Sequence, residues 1–188
     1  MIISSPDNQV AIDATRNWVD KAVIGLNLCP FAKAVQVKGQ VRYAVSDARD
    51  AGALYLDLKV ELALLAATDT SEIDTCLLIH PHVLQDFLDY NDFLDLADAA
   101  IDELDLTGDI QIASFHPDYQ FSGTSPDDIE NFTNRSPYPI LHLLREDSIE
   151  RAVEAFPDAS EIYEKNMETL QRLGLDGWRD LAVGAPKD

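Results

Sequence analysis

The sequence predicts an α/β domain: a sandwich with a mixed, mostly parallel sheet of about four strands and helices on its faces. Three observations predict it. Short apolar runs recur at 41–45, 75–79, 110–115 and 140–144, each too short for a helix and bounded by turn-forming or polar residues. The segments between the first three runs carry apolar residues three and four apart, the helical spacing. Strands alternating with helices favour parallel neighbours joined by right-handed crossovers. The last strand follows a long connection, which leaves its direction open and keeps a ferredoxin-like α+β arrangement as the alternative. With 188 residues, the chain reads as one domain spanning 1–188.

Each element has a local cause. Asp7 caps a first helix whose inner stripe includes Trp18, Ala22 and Leu26, and Pro30 ends it at Leu28 or Cys29. Gly39 precedes the alternating strand Val41–Val45. Ser46 caps a second helix with Leu54, Leu58, Leu62 and Leu65 on one side. The run from Thr75 to Ile79 is a buried strand ended by His80-Pro81. Phe87, Tyr90, Leu94, Ala97, Ile101 and Leu104 form the apolar stripe of a third helix. Asp86, Asp89, Asp92, Asp95 and Asp98 repeat along another side, as a solvated face. Thr107-Gly108-Asp109 turns into the strand Ile110 to Phe115. Ser125-Pro126-Asp127-Asp128 has the order of a helix start, and a short helix near 127–132 follows. Tyr138-Pro139 leads to the fourth strand, Ile140 to Leu144. A fourth helix begins at Asp147 or Ser148, turns Ile149, Val153 and Phe156 inward and stops at Pro157. Asp158 and Glu161 have capping-box spacing and open a fifth helix toward Gly174. Trp178 and Leu181 dock the tail, and 182–188 fray.

Composition narrows the partners. The formal net charge is −20, from 34 acidic and 14 basic residues, with no basic cluster. Such a field repels nucleic acid and anionic membrane surfaces, so neither is an expected partner. The longest apolar runs are too short to span a bilayer. The N-terminal MIISSPDNQ lacks a basic start followed by a long apolar region, so a cytoplasmic chain is expected. Cys29 and Cys76 then read as reduced thiols, with Cys29 a packing residue at a helix end whose dipole raises its pKa. The oligomeric state is open and no cofactor is indicated.

The long polar connection from His116 to Pro139 is the expected functional loop (116–139). Polar connections of this length are uncommon in compact domains, and this one carries aromatic anchors at Tyr119, Phe121, Phe132 and Tyr138 that keep it ordered. Two strand ends look alike, LLIHP at His80 and ASFHP at His116. If their strands are parallel, both imidazoles share the rim where α/β sheets bind ligands. His116 is the candidate general acid or base, oriented by Asp118. For His80 a hydrogen-bonded strand cap is the simpler role. Arg135 sits in a turn-prone context and its planar fork suits a carboxylate or phosphate. Asn134 and Tyr119 would line the site. His142 joins them if its face of the strand meets His116, and Arg145 at the strand end would clamp the anion or pair with Glu146. No CxxC, HExxH, Walker loop, GxGxxG or nucleophile elbow is present, and no metal site follows from spacing.

VIGLNLCPFAK at 23–33, DFLDYNDFLD at 86–95, ASFHPDYQF at 113–121 and NRSPYPILHLLRE at 134–146 together resemble the bacterial domain of unknown function family 1415. The resemblance implies a bacterial, cytoplasmic, single-domain protein. It carries over no reaction, cofactor or catalytic residue, and His80-Pro81-His82 lies outside its pattern. The expected function therefore rests on residue chemistry: an enzyme or binder for a small anionic metabolite at a His/Arg/Asp site on the 116–145 segment. The alternatives are a non-catalytic interaction domain that docks through the loop's aromatics, or a metal-binding protein using His116, Asp118 and His142.

Overall fold

The computed structural model describes residues 6–155 and 161–186. Its element order is α1 (Pro6–Trp18), a π-helical turn (Val19–Ile24), α2 (Ala32–Val37), β1 (Val41–Val45), α3 (Ala51–Ala67), β2 (Thr75–Ile79), α4 (Phe87–Glu103), β3 (Ile110–Phe115), a 3-10 helix (Ile129–Asn134), β4 (Ile140–Arg145), α5 (Glu146–Ala155) and α6 (Ile162–Asp180). The architecture is α/β. One four-stranded mixed sheet runs β1-β2-β4-β3. Only β1 and β2 pair in parallel; β4 inserts antiparallel between β2 and β3. The sheet is therefore not mostly parallel. The long connection after β3 lets the chain return and enter the sheet from the rim where β3 ended. The order of elements also departs from the β-α-β-β-α-β of a ferredoxin-like fold.

Alternation divides the sheet between two cores. Cys76, Leu78, Leu141 and Leu143 pack under α3 and α4, with Leu54, Leu58, Leu62, Leu65, Tyr90 and Phe93. Leu77, Ile79 and Ile140 face the other way, against Ala11, Trp18, Val19 and Ala22. The buried β2 shows five consecutive buried residues, as a central strand should.

Several local expectations are corrected. Asp50, not Ser46, caps α3: its carboxylate accepts from Ala53 N at 2.9 Å. Ser46 instead donates to Asp57 at 2.6 Å and accepts from Ala48 N, which holds the turn before the helix. The fourth helix starts directly at Glu146, and Val153 is 43% exposed rather than inward. Phe156, Pro157 and Asp158 lie outside the described residues. The fifth helix passes through Gly174 (φ 68) at a kink and continues to Asp180. Beyond it Val183 is buried, Asn17 donates to Ala182 O at 3.0 Å and Lys21 to Leu181 O at 3.3 Å. Cys29 follows the π turn. Burial pushes its thiol up, while the amides of Phe31 and Ala32 pull the other way.

The π turn explains a glycine. A Cβ on Gly25 would lie 2.2 Å from Lys21 O, a backbone atom with little freedom to retreat. Widening from i→i+4 to i→i+5 bonding brings these groups together, Gly25 N donating to Asp20 O at 3.0 Å. Gly25→Ala is expected to cost about 2 kcal/mol or more through this overlap, lowering Tm by about 4–8 °C in a chain of this size. A thermal melt within 1 °C or so of wild type would show that the turn relaxes freely.

Candidate functional site

Because β4 alone runs backward, β1, β2 and β3 point the same way. The carboxyl ends of β2 and β3 thus share one rim, on either side of Ile140. His80 and His116 stand there, both fully buried. Tyr90 of α4 lies between them, its ring centroid 5.8 Å from His80 and 5.1 Å from His116. Its hydroxyl donates to Ile140 O at 2.8 Å and accepts from Phe115 N at 3.0 Å, tying both antiparallel strands to the helix.

The two imidazoles grip one loop. His116 Nδ1 accepts from Asp118 N at 3.0 Å, so the neutral ring carries its proton on Nε2 and donates to Leu84 O at 3.1 Å. His80 Nδ1 donates to the preceding carbonyl, Val83 O, at 3.1 Å. Leu84 holds φ 55, a region that non-glycine residues seldom occupy. The two imidazole bonds help hold it there. Burial lowers both pKa values, that of His80 to about 4, and His80 is depressed further by its neighbour. For His116 the carboxylates of Asp118 and Asp86 oppose the burial effect. Asp118 therefore meets His116 through its backbone amide rather than by orienting the ring with its carboxylate. Neither nitrogen of His116 is open to a ligand in this arrangement. His80 Nε2 is buried with no partner among the described residues.

The loop beyond His116 is held by its own polar groups. Asn131, fully buried, accepts from Phe121 N at 2.9 Å and Thr124 Oγ1 at 2.8 Å, and donates to Ser125 O at 2.8 Å. Asn134 donates to Ser114 O at 3.0 Å while its carbonyl accepts from His116 N at 3.1 Å, so it fastens the loop to β3. Arg135 donates from Nε to Tyr119 O at 3.2 Å and from Nη2 to Pro126 O at 2.5 Å. Its guanidinium stands 4.3 Å from the centre of Phe132. Aromatic contacts continue from Phe87 to Tyr119, Phe121 and Tyr163, each pair between 5.1 and 6.5 Å. Trp178 of α6 meets Phe132 edge-on.

Two candidates lie elsewhere. His142 shares its face with Ile140, across the sheet from the α4 side where His116 packs. Thr75 Oγ1 donates to Leu143 O at 2.7 Å, so His142 Nε2 donates to the hydroxyl, also at 2.7 Å. Burial holds this imidazole down to about 4. Arg145 sits at the opposite end of the sheet, paired in register with Ile110. Its Nη2 reaches Leu65 O and Thr68 O at 2.6 Å and Ile73 O at 3.1 Å, closing the end of α3. Arg135, Asn134, Tyr119, Asp118 and His116 are brought together; His142 and Arg145 are not. Among the described residues, no three or more His, Cys, Asp or Glu side chains group to hold a metal. Tyr90, Leu84 and Asn131 carry no mark in the sequence that sets them apart from their neighbours. Tyr90 reads there as one more stripe residue, and nothing in a stripe marks a hydroxyl that bridges two strands.

Residues 10–180 match the family described as protein of unknown function (DUF1415). The chain belongs to this family. Three of the four stretches that carry the resemblance to DUF1415 meet at the rim: 86–95 supplies Phe87 and Tyr90, 113–121 supplies His116 and Tyr119, and 134–146 supplies Asn134 and Arg135. The fourth, 23–33, covers the end of the π turn and Gly25. No curated protein and no solved structure matches the chain. Among the described residues, no helix is long and apolar enough to cross a membrane.

Proposed function

We propose that this rim binds a small anionic ligand, with Arg135 as its anchor. The supporting observation is the state of the Arg135 guanidinium. Two of its nitrogens are tied to loop carbonyls and one face lies on Phe132, yet Nη1 carries no hydrogen bond among the described residues. No carboxylate of the described residues lies within ion-pair distance of it; burial lowers its pKa, and Asp118 and Asp127 are near enough to offset only part of that. A guanidinium already held in place loses little freedom on meeting a carboxylate or phosphate. Half-buried Tyr119 and Phe121 supply apolar lining. His116 serves as a neutral latch that positions the start of the loop, which favours binding over general acid–base turnover. Asn134 acts with it as a positioning residue.

Titration with inorganic phosphate and with succinate, followed by amide chemical shifts, tests the reading. Wild type is expected to show saturable shifts in residues 118–135. Arg135→Ala should weaken binding about 10-fold or more, the worth of a charged hydrogen bond. Arg135→Lys keeps the charge but not the fork and should fall between. Unchanged affinity in both variants would remove Arg135 from the role. Loss of the loop's native amide shifts in the unliganded Arg135→Lys protein would make the residue a structural clasp instead.

A further inference from the structure

A second place on the molecule collects basic groups. A cleft of about 450 Å³ lies between the turn that follows the π segment and α6, lined by Gly25, Leu26, Asn27, Lys165, Glu168, Thr169 and Arg172. That volume falls within the range of small-molecule sites. Lys165, Thr169 and Arg172 are spaced by four and three, so they share one helix face. At about 100° per residue that face points away from Tyr163 and Leu170, the side of α6 turned toward the 116–135 loop and the core. The cleft is thus separate from the Arg135 rim.

Both walls are fixed. Asn166, buried one residue from Lys165, donates to Leu28 O at 2.9 Å and fastens α6 to the turn. Asn27 holds φ 55, and its N–H is spent on Ile24 O at 3.0 Å. The electrostatics are unusual for this chain. Acidic residues outnumber basic ones 34 to 14, yet here two cations balance two carboxylates, Glu168 in the lining and Glu161 beside it. Lys165 already pairs with Glu161 at 3.0 Å. Arg172 has no ion-pair or hydrogen-bond partner among the described residues, so its five donors are uncommitted.

We propose that this cleft binds a small metabolite through its carboxylate or phosphate group, with Arg172 as the principal contact, Lys165 adding charge, and Thr169 and the Asn27 side chain donating hydrogen bonds. Glu168 lies beside the anion and limits its affinity. It also selects against highly charged ligands, so a singly or doubly charged small molecule is the favoured class.

The experiment uses the full chain, with inorganic phosphate and succinate as separate probes followed by amide shifts and calorimetry. Saturable shifts are expected at residues 25–28 and 165–172. Arg172→Gln should weaken binding by 10-fold or more, whereas Glu168→Gln should tighten it several-fold. A purely structural role for the helix face does not predict that gain. The two probes separate carboxylate from phosphate preference. Arg135→Ala should leave the saturable shifts at 25–28 and 165–172 unchanged while those at 118–135 weaken, so failure of the rim proposal and failure of this one can be told apart. Absence of shifts in 25–28 and 165–172 at 20-fold the protein concentration and above, or equal affinity in wild type and Arg172→Gln, would overturn the proposal.

Discussion

Replacing Arg145 with methionine is expected to destabilise the protein by about 3 kcal/mol, a large share of the 5–15 kcal/mol typical of a domain. One guanidinium nitrogen there serves three carbonyls, Leu65, Thr68 and Ile73, where α3 ends and the chain turns toward β2. Few other donors serve these groups: Thr68 N reaches Leu65 O at 3.2 Å. Methionine fills much of the same volume but leaves the partly buried acceptors without their donor, and it removes a cation that adds a small part to the lowering of the exposed Asp69 carboxylate, which the two Ser71 hydrogen bonds mainly cause. Lysine should recover only part of the loss: its ammonium also offers donors to these carbonyls, but its flexible stem gives up more freedom per hydrogen bond than the planar guanidinium. Urea unfolding gives the measurement, and faster hydrogen exchange at Thr68 should accompany it. A loss under about 1 kcal/mol would mean that water replaces the side chain at no great cost.

The second large effect concerns acid. His80 is neutral in the folded protein, with its pKa moved from 6.5 to about 4 by burial. His142 is held to about the same value and His116 is lowered too. Once unfolded, each binds a proton near pH 6.5. The folded state therefore keeps its full advantage above about 6.5 and loses it progressively as the pH falls toward 4. For fully buried His80 a depression of this size is worth about 3 kcal/mol. His142 and His116 act in the same direction. The carboxylates work against the trend, because protonating them relieves the self-repulsion of a chain carrying −20. The comparison that isolates the imidazole is therefore between wild type and His80→Asn, which keeps a donor for Val83 O but does not titrate. Urea midpoints should fall more steeply between pH 7 and 4.5 in wild type. Parallel profiles would show that His80 reaches solvent when folded.

The elements were readable because their signals are local. Val41–Val45, Thr75–Ile79 and Ile110–Phe115 are strands where apolar runs predicted them, and α4 follows the stripe from Phe87 to Ile101. Sequence and structure differ where two local signals compete. Ser46 and Asp50 are both capping residues, and only the way the turn folds back on Asp57 decides between them. The π turn has no periodic signature across six residues. The candidate site was half legible: a polar loop with aromatic anchors marks where Arg135 and His116 gather, but not what each side chain will touch.

By itself the sequence determined the alternation of strands and helices, the acidity, and the presence of two histidines closing two strands, since these follow from neighbours within a few residues. Only the tertiary structure decided that β4 runs backward between β2 and β3, a choice made by pairing across more than sixty positions of chain. That single reversal sets His80 and His116 on one rim around Tyr90, puts His142 on the far face and sends Arg145 to the opposite end. Side-chain direction depends on register and strand sense, and neither is encoded in the residues next to the side chain.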